Sequence, residues 1–478
     1  MEKKEEKPAP DMAARSFITS AVVLAALMLA AGLLTRFVPA GSYARSPDGS
    51  IVAGSYAPTE RPDYPAWRWL TAPLEVFGSE DAATAAVIIA FIVIVGGAFA
   101  ALRAAGVLEA AVASLSHRFG ARRKLFLAVV CLFFMLIGSF MGIFEEVVPL
   151  VPLAISLSLS FGWDVFTGLG MSVLAVGFGF SAAVANPFSV GTAQGLAGVP
   201  VLSGAGFRLV AFAAIYALYI AFMLRHVVKL ERNAAAGLAS AAGASLATPD
   251  GRPGDRAAGA RAGRGVAFFG WGGALLAAIV AALSTIGGAS DYILPAIALG
   301  FLAVGLGSAI AAGYGAKAAL RAFGKGAAAV APAGLLILMA LSVKRIIVSG
   351  GIMDTVLYTA AGALGRSSGF AAAGMMYALT LGMNFFIGSA SAKAFLLMPI
   401  LAPLADLAGL SRQIAVQAFV FGDGFSNMLY PTNAVLLISL GLAGMPYAAW
   451  LKRTWALQLA TLALSVALLY VAVAIGYA

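Results

Sequence analysis

A chain of 478 residues that is 61% hydrophobic and only 11% charged, with a mean hydropathy of +0.94, is built for lipid rather than water. Its many apolar runs of about twenty residues predict a polytopic α-helical membrane protein. The formal charge of +10 does not point to nucleic acid, because the Lys and Arg lie between apolar runs as in positive-inside loops, and the lone Cys131 excludes an intramolecular disulfide framework.

Residues 1–15 read as a charged cytoplasmic tail, with Lys3, Lys4, Lys7 and Arg15 ahead of the first apolar run. That run, 17–38, is longer than a signal-peptide core of roughly 7 to 15 residues and predicts an uncleaved span. The first half, 16–229, continues with spans over 82–102, 166–190 and 206–228. Residues 39–80 are expected outside, with Trp67 and Trp69 at the interface. The stretch 230–265, rich in Ala, Gly and Arg, predicts a flexible basic cytoplasmic linker. The second half, 266–478, carries spans over 266–287, 291–312, 327–348, 411–437 and 452–476.

Two further segments, 125–162 and 369–407, are too long for one helix. Each has a second arm of about 14 to 16 residues interrupted by proline: Pro149 and Pro152 in one, Pro399 and Pro403 in the other. Re-entrant hairpins are the natural reading, although a pair of full spans has the same parity. Nine spans and two hairpins put the basic clusters inside and the N-terminus in the cytoplasm, with Lys344 and Arg345 as exceptions near an outer span end.

An internal repeat is the strongest signal. GFGFS (Gly177 to Ser181), NPF (Asn186 to Phe188) and GLAGVP (Gly195 to Pro200) reappear in order as GDGFS (Gly422 to Ser426), YPTN (Tyr430 to Asn433) and GLAGMP (Gly441 to Pro446). Glu145 precedes Gly177 by 32 residues and Ser389 precedes Gly422 by 33, so the two hairpin turns occupy equivalent places. Five spans separate the starts of the two broken helices, which predicts opposite directions, hence an inverted repeat of the secondary-transporter kind with a midplane site.

Each broken helix combines glycines with a proline that removes a helical donor. Pro187 is expected to release the carbonyl of Ala183, and Pro431 that of Asn427, as cation ligands. Asn186, Ser189, Ser426, Asn427, Thr432 and Asn433 add polar side chains at that depth. One such helix alone reads as a kink whose Ser and Asn re-satisfy the backbone; a matched pair favours a site. The second turn, GSASAKAFLLMP, is small and hydroxyl-rich at Ser389 and Ser391 and carries Lys393. Its amine can pair a substrate carboxylate or serve as a permanent partner for Glu145, Glu146 or Asp423. Asp423 replaces the Phe178 of the first copy and breaks the pseudosymmetry. Burying Glu145 or Glu146 costs on the order of 3 kcal/mol, so a proton, a metal cation, a substrate ammonium or Lys393 must neutralise them, and one can also cap the second arm.

The stretches FVPAGSY (Phe37 to Tyr43), GIFEEVVPLVPLAI, ANPFSVGTAQGLAGVPVLSGAGFR, MPILAPLADLAGLSRQ and FGDGFSNMLYPTNAVL span both repeats in order. With them the chain resembles the YfcC and C4-dicarboxylate anaerobic carrier family of the ion-transporter superfamily, which includes arginine/ornithine exchangers. The resemblance implies two hairpins meeting near the midplane and a homodimer with a scaffold part and a moving part, working by an elevator-like motion. It leaves the substrate open. At Lys393 the chain departs from the family pattern, where relatives often carry Gln.

The expectation is an all-α polytopic protein of a bacterial-type cytoplasmic (inner) membrane, acting as a secondary active transporter. Its substrate would be a small carboxylate-bearing solute, an amino acid or related zwitterion ahead of a C4-dicarboxylate. Glu145, Glu146, Asn186, Ser389, Ser391, Lys393, Asp423, Asn427, Thr432 and Asn433 are the candidate substrate residues. Glu145, Ala183, Asn186, Ser189, Ser426 and Asn427 are the candidates for a coupling ion, Na+ or H+. No cofactor is expected; the partners are the solute, the bilayer and a second copy of the chain. A channel is the alternative of a different class, but Gly313-Tyr314-Gly315 sits at a span end without filter context. His117 and His226 flank spans beside arginines, which leaves an enzyme without a Ser-His pair or zinc ligands.

Overall fold

The computed structural model describes residues 10–47, 51–52, 54–79, 81–142, 144–200, 202–240, 256–284, 290–364, 367 and 369–478. Lys3, Lys4, Lys7, Asp48, Ile143 and the middle of the basic linker lie outside the described residues. The described chain is nearly all helical; two two-residue strands, Gly41–Ser42 and Ala57–Pro58, pair antiparallel in the first loop. Among the described residues, six helical runs are long and apolar enough to cross a membrane: Ala85–Ala104, Arg123–Met141, Ala205–Ala234, Ala316–Ser349 (interrupted at residues 331–332), Ala390–Leu407 and Tyr447–Ala474. Shorter apolar helices include Val165–Ser181 and Ala434–Ala443. Backbone groups satisfied within each helix make such segments compatible with lipid, and their number makes this a multi-pass membrane protein.

Several elements depart from the sequence expectation for local reasons. The linker is helical at both ends, since Ala205–Ser240 and Arg256–Ser284 run into it. Alanine-rich sequence extends an already nucleated helix at little cost. The span expected over 327–348 is divided into Ala316–Val330 and Ala333–Ser349 at Pro332, which cannot donate to the carbonyl of Ala328. Ala390–Leu407 runs unbroken through Pro399 and Pro403 for 18 residues, longer than the arm expected there. Of the two loop tryptophans, Trp67 is exposed, but Trp69 is buried against Gly32, with the Arg36 guanidinium 5.5 Å from its ring centre. Gly32 is required there, because a Cβ would run into the indole ring. The unanticipated helix Arg68–Glu75 continues that loop; Trp67, Leu70, Leu74 and Phe77 form an exposed apolar stripe of the kind that lies in a membrane interface.

The chain divides into two compact units, each drawing on both halves of the sequence. One comprises Met1–Ala85, Pro187–Arg208 and Ala333–Ala478; the other comprises Ala86–Asn186 and Leu209–Pro332. At the centre of the first lies Arg412–Gly424 followed by the 3-10 turn Phe425–Met428, with every residue from Gln413 to Met428 buried. It is surrounded by Gly369–Asn384, Ala390–Leu407 and Tyr447–Ala474. After the turn the backbone leaves helical geometry until Ala434–Ala443.

The second unit has a matching centre. Val165–Leu169, the π-helical turn Gly170–Leu174 and Ala175–Ser181 run to an irregular stretch at 182–186, and every residue from Phe166 to Val184 is buried. Arg123–Leu136 packs against it so closely that a Cβ on Gly179 would strike the Met135 backbone. The break precedes Pro187 by several residues, so the proline is not what first interrupts the helix at Ala183. In both units the irregular backbone occurs where protein, not lipid, surrounds the helix, which is where unpaired backbone groups can find partners.

Candidate functional site

Two long side chains meet in the buried centre of the first unit. Lys393, in the first turn of Ala390–Leu407, places its Nζ 2.5 Å from Asp423 Oδ1, and both side chains are 0% exposed. Lys393 also donates to Asn384 Oδ1, from the last residue of Gly369–Asn384. The amide of Asn384 then reaches the helix break: its Nδ2 donates to Ser426 Oγ at 2.7 Å and to Asn427 Oδ1 at 2.9 Å. Asn433 donates to the same Asn427 oxygen at 3.1 Å, while its own Oδ1 accepts from the Leu436 amide at 3.0 Å and caps Ala434–Ala443. A continuous polar chain thus runs from an ammonium through three asparagines to a helix start. Asp423 Oδ2, by contrast, is buried with no hydrogen-bond partner among the described residues.

The helices approach closely enough for this because of Gly422. A Cβ at that position would lie 2.7 Å from Thr380 Cβ and 2.9 Å from both the Leu381 nitrogen and the Tyr377 carbonyl oxygen. Removing the side chain at Gly422 lets the Arg412–Gly424 helix pack directly on the Gly369–Asn384 backbone and brings Asp423 to Asn384.

The expected residues therefore separate. Lys393, Asp423, Ser426, Asn427 and Asn433 are brought into one network in the first unit. Of the partners open to Lys393 on sequence grounds, it holds Asp423. Ser389 is exposed and caps its helix by accepting from the Ala392 amide; Ser391 donates to the Phe188 carbonyl at 3.0 Å; Ser189 is buried and Thr432 half-buried in the same unit. Glu145, Glu146, Ala183 and Asn186 belong to the second unit. Glu145 is half-buried and opens the 3-10 turn Glu145–Leu150, which also contains Glu146; Ala183 and Asn186 are buried around the irregular stretch.

Sequence reasoning missed Asn384 and Ser139. Ser139 Oγ donates to the Ala182 carbonyl at 3.0 Å and accepts from the Val184 amide at 3.0 Å, holding the second unit's irregular backbone. Each is a polar residue near the end of an apolar helix, and for Asn384 the cost of an amide in such a segment was a signal available in advance.

At one end of the second unit Asp164 caps Val165–Leu169, accepting from Thr167 N at 2.9 Å, and lies 3.2 Å from His226 Nε2. Burial raises this carboxyl, but the hydrogen bonds from His226 and Thr167 more than offset it and hold it well below the usual carboxylate range.

The family model for the C4-dicarboxylate anaerobic carriers matches residues 17–474. The chain belongs to that family. Its members are transporters rather than enzymes, and the residues above are read in that light. This family member is 30% identical over 388 residues to the Escherichia coli (strain K12) protein named "Putative basic amino acid antiporter YfcC", covering 77% of this chain and 74% of the relative. It is 26% identical over 376 residues to an uncharacterized Haemophilus influenzae protein, covering 76% and 71% of the two chains. Among solved structures it is similar to the Alcanivorax borkumensis YdaH transporter, with TM-score 0.45 and 21% identity over 96% of this chain and 99% of that one. The Neisseria gonorrhoeae MtrF efflux pump gives TM-score 0.43 and 16% identity over 98% and 96%.

Proposed function

We propose that this carrier is a secondary active transporter of a zwitterionic solute, an amino acid or close relative, whose two charges are received by Lys393 and Asp423. The fully buried ion pair carries this reading. Opening it strands two charges in a low-dielectric interior, at a cost on the order of 3–5 kcal/mol. A zwitterion re-pairs both at once, its carboxylate on Lys393 and its ammonium on Asp423, whose Oδ2 has no partner among the described residues. A dicarboxylate satisfies only Lys393 and obliges Asp423 to take up a proton. A solute with cationic groups alone satisfies only Asp423 and obliges Lys393 to give one up. The name of the E. coli relative speaks of basic amino acids, which carry the same α-ammonium and α-carboxylate and so fit this requirement.

The two broken helices are read as inverted repeats, each preceded by a re-entrant hairpin. The support is a shared hydrogen-bond scheme. Ser139 precedes Gly177 by 38 residues and Asn384 precedes Gly422 by 38, and each bonds the break that follows. Ser181 and Ser426 each donate to the carbonyl four residues back. Ser389, Ser391, Thr432 and Asn433 are assigned to the carboxylate end of the substrate. Each unit has its own candidates for a coupling cation, Na+ or H+, or for a second substrate ammonium: Glu145 and Glu146 with the Ala183 carbonyl and Asn186 in the second unit, and Ser189, Ser426 and Asn427 in the first. An elevator-like movement within a homodimer follows from the family resemblance, and the basic clusters favour an inner-membrane protein with its N-terminus inside.

Proteoliposome counterflow with a competition panel tests the reading. Neutral and basic amino acids should compete, under imposed sodium or proton gradients, far better than succinate. Competition by succinate with no effect of any amino acid overturns it.

A further inference from the structure

The second unit carries a charged site that the transport reading does not use. Arg123–Leu136 begins directly after the 3-10 turn Gly120–Arg122, and no side chain caps its first turn. Arg122, Arg123 and Lys124, with Leu125, line a surface cavity of about 290 Å³. Among the described residues one carboxylate reaches this cluster: Glu231, 3.0 Å from Arg123 and 2.9 Å from Lys124, which also accepts from Trp163 Nε1 at 3.3 Å. Arg122 is exposed, and no carboxylate pairs with it among the described residues. Three cations against one anion leave positive charge in surplus.

The same helix continues as an apolar stripe. Leu125, Val129, Phe133, Leu136 and Phe140 are 39–58% exposed and recur every three or four residues, which puts them on one face. On the opposite face Leu127, Cys131 and Met135 are 0% exposed. From Leu125 to Phe140 the stripe rises roughly 22 Å, more than the ~15 Å hydrocarbon depth of one leaflet.

We propose that this face is a binding site for an anionic phospholipid. The phosphodiester headgroup sits in the cavity on Arg122 and Lys124, and an acyl chain lies along the Leu125–Phe140 stripe. Each part of the surface matches a part of one molecule. Guanidinium and ammonium groups recognise a phosphate oxygen, and a continuous apolar face begins where the charge ends. A helix from another protein covering the stripe would not call for surplus cations confined to one end.

The test uses the purified full-length protein in neutral detergent, titrated with dioleoyl phosphatidylglycerol or dioleoyl phosphatidylcholine. Native mass spectrometry counts bound lipid and a thermal melt reads stabilisation. Phosphatidylglycerol should bind preferentially and raise the melting temperature. Arg122→Gln should weaken its affinity ~5-fold, and Arg122→Gln with Lys124→Gln ~25-fold. Arg122→Gln alone touches no described ion pair, so its melt in phosphatidylcholine should match that of the parent and serve as the folding control. Equal binding of the two lipids, or unchanged phosphatidylglycerol affinity in both variants, overturns the proposal. Equal stabilisation by glycerol phosphate would mean a soluble-anion site instead. A lipid-independent dimer dissociated by Phe133→Gln would mean that a second copy covers the stripe.

Discussion

Removing Lys393 and Asp423 singly and together separates an ion pair from two independent polar residues. Lys393→Met strands the Asp423 carboxylate, which is 0% exposed, and takes the donor from Asn384 Oδ1. Breaking a buried pair costs ~3–5 kcal/mol and the orphaned amide oxygen adds ~1 kcal/mol. Asp423→Asn leaves an oxygen that still accepts from Lys393, so its cost should fall near the lower end, ~3 kcal/mol. The double variant Lys393→Met with Asp423→Asn removes both charges and should lose only ~1–2 kcal/mol, since no uncompensated charge remains. Denaturant unfolding of the purified protein should therefore give a coupling energy above ~2 kcal/mol. Solute counterflow on the same proteins reads function, and all three variants should lose it, the double variant despite its recovered stability. Additive losses, with a coupling energy within ~0.5 kcal/mol of zero, would refute the ion pair. A double variant that transports at the parent rate would refute its role in substrate binding.

Gly422→Ala should destabilise by ~1–3 kcal/mol in the same unfolding assay, because the new methyl meets backbone on the Gly369–Asn384 helix and not a movable side-chain end. Asn384→Ala should abolish counterflow while costing ~1–3 kcal/mol, since it unties Lys393 from the Ser426–Asn427 break at once. Asp164 titrates below the usual carboxylate range, so its contribution is complete above the unfolded-state value near 4 and is lost as pH falls from there towards the folded value. Melting temperature should accordingly drop on acidification below about pH 4, and Asp164→Asn should flatten that drop. Glu145→Gln and Glu146→Gln, separately and together, should reduce gradient-driven uptake in proteoliposomes; unchanged uptake removes the glutamates from the coupling role.

Much of the helical layout was legible in the chain itself. Apolar length and proline are local properties, so helices stand at the expected spans and the breaks fall near GFGFS and GDGFS. Weakly apolar or amphipathic helices escaped notice: Arg68–Glu75, Val107–Phe119 and Met353–Leu364 are too short or too mixed to register as spans. Part of the candidate site was legible too. A charged residue in apolar surroundings must have a partner, and that requirement marked Lys393 and Asp423 together with Glu145 and Glu146.

Which partner each took was a matter of tertiary structure. Three acids were open to Lys393, separated from it by 30 residues in one case and by more than 240 in the others, and sequence distance carries no information about which one a folded chain brings near. The choice of Asp423 rests on the close helix contact at Gly422 and on Asn384, whose amide bridges the ammonium to the break. Composition and periodicity report what each segment needs from its surroundings, lipid on an apolar face or protein around a broken helix. Packing in three dimensions decides which residues meet that need, because it depends on backbone approach between segments remote in the chain.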